Sequence, residues 1–206
     1  AREHGVQVLP VDVLRSQWTT ELEPGQGSLT SGGLRAVRLG FGRIGGLAEE
    51  AGLRIIAART EAPFASPEDL ARRAQLDAHA LSLLAQADAL NSLSGHRHQA
   101  AWAVAGVDTR ATPMLRDTRT HETVVALPAP DVVDTVLADY RSTGLSLVQH
   151  PVGLLRSQLA AFRVETAAQL RAYPSGRLAR ASGIVTHRQR PETAKGVVFV
   201  TLEDDT

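Results

Sequence analysis

The apolar residues of this chain follow a helical period over most of its length. Leu47, Ala51, Ile55 and Ala58 recur every three or four residues, which predicts one helix that ends before Pro63. Further helical patterns begin near positions 66, 77, 96, 131, 151 and 166. The chain is therefore expected to be mainly helical.

Several of these helices begin with a capping signal. Ser66 precedes Pro67, which suits the first helical position, and Asp77 precedes the next helix. Thr166 and Gln169 have the spacing of a capping box. The helix that starts at Asp131 is expected to bury one stripe: Val133, Val136, Leu137 and Tyr140.

The pattern changes to strands near the end of the sequence. Residues 178–186 predict one strand, with Gly183 as a bulge, and residues 196–202 predict a second. Two strands are marginal alone, so a longer sheet in a longer protein is expected. Weaker strand patterns cover residues 6–13 and 34–39, and residues 107–130 are irregular.

Composition limits the kind of partner. The 22 basic residues equal the 22 acidic ones, which excludes a uniformly basic nucleic-acid binder and leaves only local sites. Lys195 is the single lysine beside 21 arginines, a bias that genome base composition alone could produce. Cysteine is absent, so there are no disulfides. With no membrane-length apolar run and no signal peptide, a cytoplasmic protein is expected.

The first candidate site is the glycine-rich turn Gly45-Gly46-Leu47-Ala48, which precedes a predicted helix. In a helix-hairpin-helix module such a turn directs backbone N–H groups at a DNA phosphate. Ala48 stands where that module usually has glycine, and Glu49 and Glu50 would repel a phosphate. The alternative is a turn between two helices that packs without touching DNA.

The second candidate is the polar loop 187–195 between the two final strands. The first such loop of an OB-fold binds single strands, and Arg188, Arg190 and Lys195 would contact phosphates. Phe199 could stack on a base if it faces outward. The alternative is a solvated hairpin, and for Phe199 a core position is the expectation.

Other polar clusters predict no chemistry. His96 and His98 are two residues apart, so a helix would point them to different faces, and no metal site is expected. The run Glu203-Asp204-Asp205 has no partner carboxylate and predicts a solvated turn. Catalytic triads and phosphate-binding glycine loops are absent, so no catalytic residue is predicted.

Several segments together resemble the C-terminal half of bacterial C-family, DnaE-type DNA polymerases. The resemblance implies a fold in five parts: residues 1–33 end the fingers region, 34–106 form a tandem helix-hairpin-helix domain, 107–130 a linker, 131–175 a helical connector, and 176–206 the start of an OB-fold. The segments that carry it are 5–13 with Trp18, 34–47, Asp69-Leu70, Leu83-Leu84, 87–90, 139–147, His150-Pro151, 188–191, 193–196 and 199–204.

Two segments favour the error-prone branch of that family, also called ImuC: Pro10 to Val13 and Arg188 to Pro191. This implies a parent enzyme, a nucleotidyltransferase, that copies damaged DNA during repair and induced mutagenesis. Its acidic palm residues would hold magnesium, and nothing here matches them. The fragment is therefore expected to bind duplex and single-stranded DNA, without catalysis and without a cofactor of its own.

Relatives with a replicative role carry a sliding-clamp peptide between the hairpin and OB parts. The corresponding residues here, Pro113, Met114 and Leu115, lack the usual glutamine and terminal aromatic, so clamp contact through an accessory mutagenesis protein is expected instead. Two alternatives stay open: a scaffold that docks such proteins or the clamp, and a replicative parent.

Overall fold

The computed structural model describes residues 5–23, 35–107, 125–191, 193 and 196–205. The chain divides into two compact units, Ala1–Leu147 and Val148–Thr206. Each unit is described by itself below.

The first unit opens with a small three-stranded sheet. Its strands are β1 (Val8–Leu9), β2 (Glu21–Leu22) and β3 (Val37–Arg38). The central strand β3 pairs with β1 in parallel and with β2 antiparallel. An ion pair between Arg38 and Glu23 and a hydrogen bond from Arg38 to the Pro10 carbonyl tie the strands together. The weak strand patterns in these two regions are confirmed.

The helices of the hairpin region follow. A 3-10 turn at Phe41–Arg43 leads through residues 44–48 into α1 (Glu49–Glu61). Next come α2 (Pro67–Arg73), α3 (Ala78–Gln86), α4 (Asn91–Ser94) and α5 (Arg97–Ala105). The Ser66 hydroxyl accepts from the Asp69 N–H, and the Asp77 carboxylate accepts from the Ala80 N–H, as their capping signals predict.

Aliphatic side chains dominate the core of the first unit. Leu47, Ala51, Ile55 and Ala58 are all buried, which confirms the pattern that predicts α1. Phe41 is also completely buried beneath the turn. The ring of Trp18 packs against α1 at Gly52, where a β-carbon would lie only 2.7 Å from the ring.

Helix α6 (Val132–Thr143) closes the first unit. The Asp131 carboxylate caps its start, and Gly144 ends it in the left-handed conformation, φ +75°. The predicted buried stripe is wrong: Val136 is buried, but Val133 and Leu137 are nearly half exposed. The reason is that α6 packs mainly against one helix, α3, and a single neighbour covers only a narrow line of a helix.

The second unit contains short helices and a hairpin of strands. Its helices are α7 (Pro151–Leu154), α8 (Arg156–Ala161) and α9 (Ala167–Arg171), and the strands are β4 (Ile184–Gln189) and β5 (Phe199–Glu203). The single helix predicted from Pro151 is interrupted at Leu155. The capping box of Thr166 and Gln169 is present. The fold class, mainly α with a β segment, is confirmed.

The strands differ in detail from their predicted bounds. Strand β4 begins at Ile184 and runs through Gln189, and its bulge lies between Val185 and His187 rather than at Gly183. Gly183 has a different role. A β-carbon there would lie 2.7 Å from the Glu203 carbonyl oxygen, so glycine permits the close approach of the two strands. The antiparallel pairing sets Arg188 opposite Val200 and Gln189 opposite Phe199.

Within the described ranges, the helices are all too short or too polar to cross a bilayer.

Candidate nucleic-acid interface

The glycine-rich turn is anchored by buried residues that lie three apart in the chain. Ile44 and Leu47 are buried, whereas Gly45, Gly46 and Ala48 are exposed. Gly46 has φ +82°, a left-handed conformation that favours glycine. The geometry is therefore a helix-hairpin-helix turn with its backbone at the surface.

One of the turn's amides is already engaged. The Gly45 N–H donates to the Ser142 carbonyl oxygen at 2.8 Å, and the Arg43 guanidinium donates to the Thr143 carbonyl at 3.2 Å. Both acceptors lie in the last turn of α6, whose carbonyls lack helical partners and hold partial negative charge. The end of α6 thus occupies a donor that a phosphate would need. The sequence shows where α6 ends, through Gly144, but not what its end contacts.

The surroundings of the turn are acidic. Ala48 caps α1 without a side-chain hydrogen bond, and Glu49 and Glu50 form the first helical turn. A cavity of about 260 Å³ beside the turn is lined in part by Glu50 and Asp77. Carboxylates at this position repel an incoming phosphate. The exposed backbone of the turn therefore favours an anion, whereas the local charge opposes one.

A second turn lies at residues 87–90, between α3 and α4, in one of the segments that carry the resemblance. Its amides are consumed inside the turn: the Ala87, Asp88 and Ala89 N–H groups donate to the carbonyls of residues 83, 85 and 84 at 3.0–3.1 Å. Asp88 adopts φ +57°. These three amides are therefore not available to a phosphate.

The Asp88 carboxylate is half-buried in this second turn. Its Oδ2 accepts a hydrogen bond from the Asn91 amide at 3.1 Å, and its Oδ1 is buried without a partner among the described residues. Burial raises the pKa of Asp88, and the Asn91 bond and the nearby Arg97 charge offset this only in part. The ionised carboxylate therefore weakens the fold.

Replacing Asp88 by asparagine is expected to stabilise the chain at pH 7, because it removes a buried charge while Asn tolerates the left-handed backbone. In the wild type, the ionised Asp88 lowers the stability by its full amount at pH values above its raised pKa in the folded chain. This loss vanishes below about 4, the pKa of an aspartate in the unfolded chain. Urea unfolding at pH 7, 5 and 4 should show the advantage of Asp88→Asn shrinking as the pH falls. A constant difference would contradict the role given to burial.

Most arginines of the first unit already bind the protein itself. Guanidinium groups donate to backbone carbonyls at helix ends and in turns, for example Arg54 to Ala74 at the end of α2 and Arg59 to Val13 in the turn after β1, both at 2.9 Å. Of the ten arginines that the structure describes in this unit, eight hydrogen-bond within it: Arg35, Arg38, Arg43, Arg54, Arg59, Arg72, Arg73 and Arg97. Most of the described arginines in this unit therefore have a structural role.

The neutral chain also separates into units of opposite charge. The first unit holds 14 arginines and 17 acidic residues, a formal charge of −3. The second holds eight basic and five acidic residues, a charge of +3. Electrostatic attraction for a polyanion is therefore concentrated in residues 148–206.

Two of the predicted phosphate contacts lie on this basic unit. Arg188 is on strand β4, not in the loop as predicted, because the pairing extends to Gln189; Arg190 follows directly. Both are exposed, and neither side chain has a hydrogen-bond partner within the described part of the chain. Lys195 lies outside the described residues, as do the clamp-peptide positions Pro113, Met114 and Leu115.

Phe199 lies at the start of β5, across from Gln189. Its side chain is 58% exposed, so the expected core position is wrong for this chain. No described layer covers either face of the two-stranded sheet, and Val185 and Leu202 are exposed on it as well. The register places Phe199 on the same face of the hairpin as Gln189 and places Arg188 on the opposite face with Val200, so both are exposed but not on one surface.

The two histidines predicted not to bind metal hold a peptide segment instead. The ring nitrogens of His96 and His98 lie 3.2 and 3.1 Å from the carbonyl oxygens of Leu127 and Pro128. Gln99 adds two hydrogen bonds to the backbone at residues 125 and 127. No cluster with metal-ligand composition occurs in the portion of the chain that the structure describes.

The acidic run at 203–205 is not a solvated turn, contrary to expectation. Asp204 and Asp205 both form ion pairs with Arg156 and are largely buried. Although burial opposes it, the hydrogen bond from the Ala167 N–H, at 2.7 Å, and the Arg156 charge hold the pKa of Asp204 below its ordinary value. The run joins the end of β5 to α8 and α9. Sequence spacing could not reveal this partner, which lies 48 residues away.

Comparison with known proteins shows what this chain is similar to. Residues 5–100 match the family described as the helix-hairpin-helix motif. An error-prone DNA polymerase of Bordetella parapertussis is 52% identical over 207 residues, which cover all of this chain and 19% of that protein. Error-prone DNA polymerases of Ralstonia nicotianae and an Azoarcus species are 50% and 51% identical, again over the whole chain and 19% of each relative.

The chain spans about a fifth of the length of these relatives. These identities confirm the resemblance that the sequence motifs indicated, and the similarity extends over both units of the chain. Residues 5–100 match the helix-hairpin-helix motif, and the whole chain is similar to a segment of proteins named error-prone DNA polymerase.

Proposed function

We propose that this chain is a DNA-binding, non-catalytic C-terminal segment of an error-prone polymerase that copies damaged DNA. The similarity of the whole chain to proteins named error-prone DNA polymerase supports an error-prone parent enzyme over a replicative one. Arg188 and Arg190 are exposed on the basic second unit and have no side-chain partner among the described residues, which is the observation that supports DNA contact most directly. Magnesium chemistry would belong to acidic residues of the parent that lie outside this segment.

Neutralising the two arginines tests this function. Arg188→Gln with Arg190→Gln is expected to weaken binding to a primer–template. It should also lower the slope of log affinity against log salt by about 2, because each lost phosphate contact removes about 1. Fluorescence anisotropy between 50 and 200 mM salt measures both quantities.

A matched pair on the acidic unit controls for net charge. Arg15 and Arg141 are exposed and make no side-chain hydrogen bond within the described residues, so Arg15→Gln with Arg141→Gln removes the same charge elsewhere. An equal loss of slope in both double variants would rule out a local site at β4. Absence of binding by the wild-type chain at 50 mM salt would refute the DNA-binding proposal altogether.

A second function is favoured by the occupied hairpin. The Gly45 amide bound to Ser142, together with Glu49 and Glu50, suits a scaffold that docks accessory mutagenesis proteins or the sliding clamp. Retention of such proteins on the immobilised chain, without measurable DNA binding, would support the scaffold over the DNA-binding segment.

A further inference from the structure

We propose that a second cluster in residues 148–206, centred on Phe162, is a stacking platform for single-stranded DNA. The proposal rests on the DNA-binding function above, and assigns it to residues outside the strand hairpin. Phe162 lies at the end of α8 with 67% of its surface exposed. An aromatic ring left this open offers a flat apolar face to a base.

Two arginines lie close to Phe162, one through a backbone contact and one as its neighbour in the chain. The Arg180 guanidinium donates to the Phe162 carbonyl at 2.9 Å, and the Glu165 N–H donates to the Arg180 carbonyl at 3.0 Å. These bonds hold residue 180 beside the segment 162–165. Arg163, next to the ring, has φ +57° and an exposed side chain without a hydrogen-bond partner among the described residues.

A second ring extends the cluster. The Arg177 guanidinium carbon lies 4.0 Å from the centre of the Tyr173 ring, a cation–π arrangement. Tyr173 lies near Glu165, in the segment that follows Phe162. Residues 162–180 therefore carry two aromatic rings and the guanidinium groups of Arg163, Arg177 and Arg180.

This composition fits nucleic acid better than an acidic protein. Arg163, Arg177 and Arg180 share residues 162–180 with one carboxylate, Glu165, within a unit of net charge +3, which suits a run of phosphates. Rings and guanidinium planes both stack on bases, and stacking tolerates any sequence. A polymerase segment that meets arbitrary templates needs that tolerance.

Binding to two oligonucleotides separates stacking from charge. One probe is a 12-nucleotide oligo(dT), and the other has the same length and charge but abasic sites throughout. With the 206-residue chain, Phe162→Ala is expected to lower affinity for oligo(dT) about tenfold, a loss typical of one stacked base, and to leave the abasic probe unchanged. Phe162→Trp should restore oligo(dT) binding. Leu178, 92% exposed, supplies the control Leu178→Ala, which should have no effect.

Each other outcome has a defined meaning. If Phe162→Ala binds oligo(dT) like the wild type while the Arg188 and Arg190 double variant loses affinity, the platform is overturned and the proposed function stands. Equal losses on both probes would give Phe162 a structural role and also overturn the platform. A wild-type chain that binds a primer–template but neither probe would overturn the platform alone, whereas one that binds none of the three would refute both proposals. Capture of a protein at Phe162, without preference for bases over abasic sites, would assign the surface to that partner.

Discussion

Replacing Asp139 by alanine is expected to lower the free energy of unfolding of the first unit by about 3 kcal/mol, because it leaves a buried arginine without its counter-charge. Arg97 on α5 is only 7% exposed and forms an ion pair with Asp139 on α6. Its guanidinium also donates to the Gln86 carbonyl at 3.2 Å, and Ser146 donates to the second Asp139 oxygen at 2.8 Å. The pair thus fastens α3, α5 and α6 together.

Both tryptophans, Trp18 and Trp102, lie in the first unit, so urea unfolding followed by their fluorescence reports this unit. Arg72→Ala is the matched control. Arg72 also pairs with an aspartate, Asp69, but its side chain is 59% exposed, and a loss below about 1 kcal/mol is expected. Arg97→Met with Asp139→Leu should recover most of the stability, since paired apolar replacement avoids the stranded charge. A single-variant loss no larger than that of Arg72→Ala would contradict the buried role of the pair.

Replacing Gly40 by alanine is expected to destabilise the first unit by about 3 kcal/mol, through overpacking alone. A β-carbon at this position would lie 2.3 Å from the Thr19 carbonyl carbon and 2.4 Å from the Trp18 carbonyl oxygen. These neighbours are backbone atoms that cannot rotate away. The φ of −87° suits any residue, so the loss cannot be attributed to a strained backbone.

Gly106→Ala is the control for this substitution. It has a similar φ of −83°, and its nearest neighbour to a new β-carbon is the Ala103 carbonyl oxygen at 3.8 Å, an ordinary contact. Thermal unfolding should show a marked fall in Tm for Gly40→Ala and little change for Gly106→Ala. Equal shifts would mean that loss of glycine flexibility, rather than the contact with Thr19, sets the effect.

The helices could be predicted from sequence because their signals are local. The cap at Ser66 acts three residues away, and the apolar spacing of Leu47 to Ala58 defines a face whatever it packs against. Val133 and Leu137 show where this reasoning stops. Their spacing is helical, but whether they are buried depends on how many neighbours α6 has, which no short window of sequence encodes.

The candidate site was predictable only in part for the same reason. The turn at Gly46 and the exposed Arg188 follow from local residue types, whereas the bond from Gly45 to Ser142 and the pair of Arg156 with Asp204 join distant segments. Phe162 carries no sequence signal, because an aromatic residue at the end of a helical pattern is ordinarily expected in the core. Its exposure emerges only once α8 and its neighbours are in place.

The contact between the hairpin and the end of α6 also sets an order of events during synthesis. Arg43 and Thr143 are 100 residues apart, and a ribosome adds roughly 5–20 residues per second, so the acceptors for Arg43 and Gly45 are made about 5–20 s after the turn itself. During that interval a nascent chain has its hairpin amide open to solvent. Until α6 is translated, this turn therefore has a free Gly45 amide that the completed chain does not have.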